Sequence, residues 1–201
     1  MDNLLREYGK RKATIVGRLN DFRLIKEKDY FNELLFCLLT PQSNAKKCWD
    51  AVLELKKTSI NGLSEKQIAS VLKSRTRFHN NKARYIKKAI KQWPVILEKI
   101  EVLRAIELRN WMAENVDGIG YKEAGHFIRN IGKSDNKVAI LDRHILRNLC
   151  ALNVISNEKL KGKKNYFEVE DKFIDFSSKI GIPIDELDLL FWSRENGEVF
   201  K

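Results

Sequence analysis

Cysteine is scarce and scattered. Cys37, Cys48 and Cys150 are the only three, and no two of them form a C-x-x-C pair. This spacing argues against zinc and iron–sulfur sites and offers no framework for disulfides. Cys37 lies in the apolar run Phe36-Cys37-Leu38-Leu39 and is expected to be a buried small hydrophobe. Histidine is equally rare: His79, His126 and His144 share no metal-ligand spacing with carboxylates, so no metal-dependent hydrolase, and no metal or other cofactor, is expected. No apolar run approaches the roughly 18 residues a membrane span needs. The opening MDNLLREYGKRKA has neither the apolar core nor the small-residue cleavage site of a secretory signal. An intracellular protein, cytoplasmic and without a membrane partner, is expected. Repeats, low-complexity tracts and long linkers are missing as well.

The chain has 201 residues, 43% hydrophobic and 32% charged, enough to bury a core as one domain or as two lobes and too apolar for disorder. Its net charge of +11 is unevenly placed. Residues 1–100 carry 22 Lys and Arg against 10 Asp and Glu, whereas residues 101–201 carry 16 against 17. The excess sits in Lys46-Lys47, Lys56-Lys57, Lys73 to Arg77 and Lys82 to Lys91. Any one cluster reads as a solvated helix face; the asymmetry as a whole favours a polyanionic partner, because binding one releases its counterions.

The periodicity is helical almost throughout. Leu4, Leu5, Tyr8, Ile15, Leu19 and Phe22 share one helical face. Asp29 is placed to cap a second helix that Pro41 ends, and Ser43 or Asn44 opens a third. Ser64 to Gln67 forms a capping box. Asn80-Asn81 precedes a basic helix expected to stop before Trp93-Pro94. Further helices are predicted near 102–115, 121–131, 143–152, 164–180 and 184–195, with Gly181 and Pro183 separating the last two. Val138 to Leu141 is the one strand-like run, and it has no partner. The fold class is all-α.

The sharpest local signal is Val116-Asp117-Gly118-Ile119-Gly120-Tyr121-Lys122-Glu123-Ala124, with Asp142 twenty residues beyond the lysine. Two glycines spaced G-x-G between helical patterns describe a hairpin. Its main-chain N–H groups at Gly118, Ile119 and Gly120 can hold a phosphate without reading sequence. Lys122 follows in the first turn of the next helix, where the positive helix end disfavours an ammonium and so favours a nucleophilic amine. Asp142 ends the apolar run and precedes the helix Arg143 to Leu152, so it is placed as an N-cap. A capping role alone and a role facing the lysine are both compatible with that position.

These residues resemble the helix-hairpin-helix superfamily of DNA glycosylases, through Val116 to Ala124 and Ile140-Leu141-Asp142-Arg143-His144. More narrowly, Gly118 to Asn130 is similar to the compact type 2 branch of 8-oxoguanine DNA glycosylase/AP lyases. So are Phe36 to Thr40, Arg77-Phe78 ahead of Lys82 to Ile86, and the tail Glu186 to Trp192 ending in Lys201. The resemblance covers essentially the whole chain. It implies a two-lobed helical fold, lobe one spanning about 31–132 and lobe two about 1–30 plus 133–201, with the active site in the cleft between them. It implies that Lys122 attacks C1′ of the damaged nucleotide, forms a Schiff base and nicks the strand by β-elimination, with Asp142 assisting. The partner it implies is double-stranded DNA containing 8-oxoguanine, bound by a monomer at the nucleoid. Phe78 and Trp192 would wall the base pocket, Lys201 would help tell 8-oxoguanine from guanine, and Asp188 is a further candidate for a base contact. The alternative for both aromatics is core packing.

His126, four residues after Lys122, reads as packing, and Arg129, Arg143 and Arg147 as solvated surface or phosphate contacts. The backbone carbonyls of Glu114, Val116 and Ile119 offer a cation position by analogy only. Two departures from the superfamily pattern stand out. Asp117 occupies a hairpin position often held by proline or lysine, where its charge would repel a phosphate unless it points away. Ser134 to Lys137 replaces the usual Gly-Pro pair before Asp142. A glycosylase for oxidised pyrimidines and a helix-hairpin-helix DNA-binding module without chemistry are the competing readings.

Overall fold

A computed structural model describes residues 2–201, and those residues form ten α-helices and one short 3-10 turn, with no strand among them. The helices are α1 (Asp2–Arg23), α2 (Glu27–Leu39), α3 (Ala45–Lys56), α4 (Glu65–Leu72), α5 (His79–Val102), α6 (Ala105–Asn115), α7 (Tyr121–Asn130), α8 (Arg143–Ala151), α9 (Gly162–Ile180) and α10 (Ile184–Asn196). They divide into two compact units, one built from residues 26–127 and the other from residues 1–25 and 128–201.

In the unit of residues 26–127, α4 packs on α5, α2 on α3 and α5, and α6 on α5. Its core is the buried set Leu34 to Leu39, Cys48, Ala51, Val52, Leu55, Ile68, Leu72, Ala83, Ile86 and Leu108. Cys37 is fully buried, as its apolar neighbours require. Asn44 caps α3 by accepting from Lys47 N at 3.1 Å. The capping box of Ser64 and Gln67 forms with both bonds present.

Three boundaries differ from the sequence expectation. Asp29 is not the cap of α2: the helix begins at Glu27, and the Asp29 carboxylate turns instead to Lys56 Nζ at 2.8 Å. Helix α5 starts at His79, so Asn80-Asn81 lie inside it. It also runs on through Pro94, which lacks the N–H for an internal helical bond. The apolar stripe explains that persistence. Ile86, Ala89, Ile96 and Ile100 are all buried along one face, while Pro94 lies on the exposed side, so burial on both sides of the proline outweighs its local cost of ~3 kcal/mol. The next helix, α6, consequently begins only at Ala105.

One polar cluster ties this core together. Lys82 is 4% exposed, and its Nζ donates to Leu39 O (2.7 Å), Pro41 O (2.9 Å), Ser43 Oγ (2.9 Å) and Thr76 Oγ1 (2.6 Å). Its ammonium thus covers the carbonyl end of α2, where the helix dipole favours a cation. Cys48 Sγ donates to the same Leu39 carbonyl at 3.1 Å. Burial pushes Lys82 down to about 8 and Cys48 up to about 11.

In the other unit α1 packs on α10, and α10 on α8 and α9. Leu4, Ile15, Leu19 and Phe22 are the buried stripe of α1; Leu5, expected on that face, is 42% exposed. The run Val138 to Leu141 is buried but belongs to no regular element, and Asp142 N donates back to Ile140 O at 2.8 Å. At Ala139 its backbone is satisfied from α9: Ala139 N donates to Glu170 Oε1 at 2.7 Å and Tyr166 Oη to Ala139 O at 2.8 Å. Gly181 ends α9 in the left-handed conformation, as expected. Gly132 (φ +69°) follows α7 where the chain touches α1; a Cβ there would lie 2.5 Å from Arg23 Cα and 3.0 Å from Phe22 O.

Gly132→Ala must displace backbone, so thermal denaturation should show a loss of about 3 kcal/mol. Gly9→Ala, on an open helix surface, should gain about 0.5–1 kcal/mol. Equal effects would refute the close-approach account. For Lys82, folded and unfolded chains are both protonated below about 8; between there and the ordinary 10.5 the unfolded chain binds more protons, so stability rises with pH. Cys48 acts in the opposite sense between 9.0 and about 11. The comparison with Lys82→Met, which retains Cys48, isolates the lysine. In chemical denaturation from about pH 8 to 10, wild type should gain on the order of 2 kcal/mol over the variant. A flat difference would contradict it.

Candidate active site

The hairpin is built against α5. Val116 closes α6, and Gly118 turns the chain with φ +85°. A Cβ on Gly118 would lie 2.5 Å from the Tyr85 ring, so only glycine lets the loop lie flat on α5. One turn along α5, Lys88 pairs with the Asp117 carboxylate. The hairpin's acidic departure is therefore neutralised by a lysine from the neighbouring helix. Val116 O, one of the three carbonyls proposed for a cation, accepts from Ile119 N at 3.1 Å.

Past the hairpin, Ala124 N closes the first turn of α7 on Gly120 O at 2.9 Å. Gly120 N donates to Glu123 Oε2 at 3.3 Å, and the other carboxylate oxygen, Oε1, is 3.1 Å from Lys122 Nζ. Glu123 thus joins a hairpin N–H to the candidate nucleophile. Lys122 also interacts electrostatically with Lys82 on α5 and Cys48 on α3. The helix is held from below by His126, whose ring meets Phe36 edge-on at 5.5 Å, and Phe36 in turn meets Trp49 at 5.7 Å. His126 packs, as expected. Beneath Tyr121 lies the buried Arg109, its guanidinium 5.5 Å from the ring centre.

Phe78 stands at the start of α5 with φ +57°, a strained backbone for a bulky residue, and is 51% exposed. It is not core packing. Its neighbour Arg77 stacks on the ring at 5.3 Å, while Arg77 N donates to Ser43 Oγ at 3.0 Å. Ser43 belongs to the Lys82 cluster, so the buried ammonium also anchors the turn that presents Phe78.

The remaining candidates lie in the other unit. Asp142 caps α8: its Oδ1 accepts from His144 N at 2.8 Å and Ile145 N at 2.9 Å. The carboxylate is half-buried and fixed in orientation by its own helix. Near it, α8 and α10 are laced by His144 Nδ1–Glu195 Oε2 (3.6 Å), Arg147 Nη1–Glu195 Oε2 (2.9 Å) and Arg194 Nη1–Asn148 Oδ1 (2.9 Å). After Gly197 the tail folds back, with Arg18 Nε donating to Phe200 O at 2.5 Å. The rings of Trp192 and Phe200 lie 6.2 Å apart and tilted. Trp192 is half-buried, and Lys201 is 5% exposed. Asp188 and Trp192 share α10, but the Asp188 carboxylate pairs with Arg129 at 2.6 Å. Arg129, expected at the surface or on phosphate, is instead buried beside Phe22.

The structure therefore brings Lys122 to the hairpin, and Trp192 to the tail that carries Lys201. Sequence reasoning missed Glu123, although Gly120-x-x-Glu123 has the spacing of a self-capping helix start. It also missed Lys82, which looks like any member of a basic run until its burial is known. Among the described residues no group of three or more His, Cys, Asp or Glu is arranged to hold a metal, and no helix is long and apolar enough to cross a membrane.

Comparison with known proteins gives one consistent answer. Residues 15–182 match the family model described as 8-oxoguanine DNA glycosylase. The 8-oxoguanine DNA glycosylase/AP lyase of Fusobacterium nucleatum is 42% identical over 197 residues, covering 92% of this chain and 89% of that protein. The protein of the same description from Sulfurisphaera tokodaii is 35% identical, covering 98% and 100%. Among solved structures, Methanocaldococcus jannaschii 8-oxoguanine glycosylase/lyase in complex with a DNA 15mer containing 8-oxoguanine superposes with a TM-score of 0.89 at 31% identity, covering 100% of both chains. With a lysine just past a glycine hairpin, an aspartate capping the helix after the buried run, and family likeness along its whole length, the chain belongs to the 8-oxoguanine DNA glycosylase family.

Proposed function

We propose that this chain is a bifunctional DNA glycosylase and AP lyase that removes 8-oxoguanine from double-stranded DNA, with Lys122 as nucleophile and Asp142 assisting. The observation that carries this reading is Lys122 in the first turn of α7, directly after a hairpin able to hold a phosphate. The neutral Nζ lone pair forms a bond to C1′ while the bond from C1′ to the base breaks, and the base leaves with that electron pair. The sugar ring then opens to give the Schiff base. Loss of a C2′ proton expels the 3′ phosphate and nicks the strand.

Positive charge develops on the sugar as the base departs, so a fixed carboxylate lowers the barrier more than it stabilises the bound substrate. Asp142 suits that role because its cap bonds fix its orientation. It also serves as the acceptor for the lysine's proton. The hairpin amides of Gly118, Ile119 and Gly120 take a backbone phosphate, and the basic surface supplies the sequence-independent attraction.

An excised base must leave the stack, and stacking surfaces should receive it. Trp192 and Phe78 serve as those surfaces, and Lys201 provides the polar contact that separates 8-oxoguanine from guanine at the C8 and N7 edge. Asp188 would reach the base only by giving up Arg129, which argues for its holding that arginine instead. The working form is a monomer acting on nucleoid DNA.

Borohydride should trap wild type covalently on an 8-oxoguanine duplex, and Lys122→Gln should abolish trapping; normal trapping by the variant would mean another nucleophile. Asp142→Asn should slow excision by at least about a hundredfold with little change in DNA affinity. Parallel losses of affinity and thermal stability would reduce Asp142 to a helix cap. In a panel of lesion duplexes, 8-oxoguanine should be incised fastest; a preference for thymine glycol would reassign the substrate.

A further inference from the structure

The proposed mechanism leaves one group at the nucleophile without a task. Glu123 spans the 3.3 Å contact to Gly120 N and the 3.1 Å contact to Lys122 Nζ. We propose that Glu123 is a DNA-released restraint on the amine: a backbone phosphate arriving at the hairpin takes the Gly120 N–H, and the displaced carboxylate lets go of Lys122. This deepens the reading above and rests on Lys122 being the nucleophile and the hairpin being a phosphate dock.

The physical case begins with competition for one donor. A carboxylate and a phosphate oxygen cannot share the Gly120 N–H, and their charges repel at contact distance. The 3.3 Å bond of Glu123 lies beyond the usual range for N–H···O, so it is the weaker contact to lose. A phosphate at a helix start gains both the amides and the dipole. Glu123 is therefore the anion displaced.

Its departure changes what the lysine faces. While Glu123 is in place, a carboxylate at 3.1 Å favours the ammonium form. Without it, the charges acting on Lys122 include the positive end of α7 and the buried ammonium of Lys82 on α5, itself near Arg77. A neighbouring cation is one of the ways an amine is made nucleophilic. Cys48 on α3 stays a neutral thiol, since burial raises it to about 11. From α2 the helix is met by the ring of Phe36 through His126, one turn beyond Lys122. On the proposed mechanism Asp142 is the carboxylate brought to bear in the complex. The lysine's proton passes to Asp142 or to water, leaving Nζ its lone pair. A capping role for Glu123 would need only an acceptor for Gly120 N; the negative charge on the lysine serves a different end.

The test separates the two roles with Glu123→Gln, which keeps an acceptor for the hairpin amide and removes the charge. Labelling of Lys122 by a small aldehyde with cyanoborohydride, read by peptide mass spectrometry from about pH 6 to 10, reports the amine in DNA-free protein. Trapping on a duplex with a preformed abasic site, over the same range, reports it in the complex. The variant should lower the midpoint of the DNA-free profile by at least about one pH unit, with about tenfold more labelling near neutrality. On abasic DNA the midpoint should move by less than about a third as much. Glu123→Ala, which also removes the cap, should shift the DNA-free profile in the same direction and guards against a folding defect in one variant. No shift in free protein would overturn the restraint, and an equal shift on DNA would overturn its release. If Lys122→Gln still traps, the nucleophile assignment fails and this proposal with it; if Lys122→Gln is inert but the two Glu123→Gln shifts are equal, the release on DNA is lost while the nucleophile assignment stands.

Discussion

An amine performs nucleophilic chemistry near neutral pH only where its surroundings hold the proton loosely, and the proposed mechanism asks this of Lys122 in the unit of residues 26–127. Lys122 sits at the positive end of α7, in the electrostatic reach of a second lysine that the fold has buried. That second lysine is no accident of composition. Four oxygens converge on Lys82, two of them the carbonyls of Leu39 and Pro41. The same ammonium closes α2, fixes the loop carrying Ser43, and through it steadies the turn at Phe78. The end of α2 and the turn at Phe78 thus share a single cation.

The other unit solves a matching problem for a carboxylate. On the proposed mechanism Asp142 acts from a cap position, where two main-chain N–H groups hold one oxygen of its half-buried carboxylate in a fixed orientation. What delivers the chain to that point is the buried run Val138 to Leu141, tied to α9 at Ala139 by Glu170 and Tyr166. The run reads as a strand without a partner; at Ala139, side chains of a helix supply the bonds a neighbouring strand would supply.

Much of this was legible in the sequence. Helix number, the capping box at Ser64, the Asn44 and Asp142 caps and the Gly181 stop all rest on short-range chemistry that a linear reading captures. Pro94 departs from the linear expectation because burial on either side of it, invisible to a local rule, outweighs its local penalty. Asp29 was misread because Lys56, its partner, is distant in sequence. At the candidate site, the place of Lys122 in the first turn of α7 follows from its neighbours in the chain. The long-range pairs do not: Lys88 with Asp117, Arg129 with Asp188 and the oxygens around Lys82 join residues whose proximity only the fold creates. Burial turns an ordinary lysine into a perturbed one, and no spacing rule records it.

The buried Lys82, brought down to about 8, makes the central claim demanding, since two lysines here depart from the ordinary surface environment. Peptide mapping of the borohydride-reduced complex on 8-oxoguanine DNA discriminates between them directly. The account predicts the sugar adduct on the peptide containing Lys122 and on no other. An adduct on Lys82, or on any amine outside α7, would contradict it.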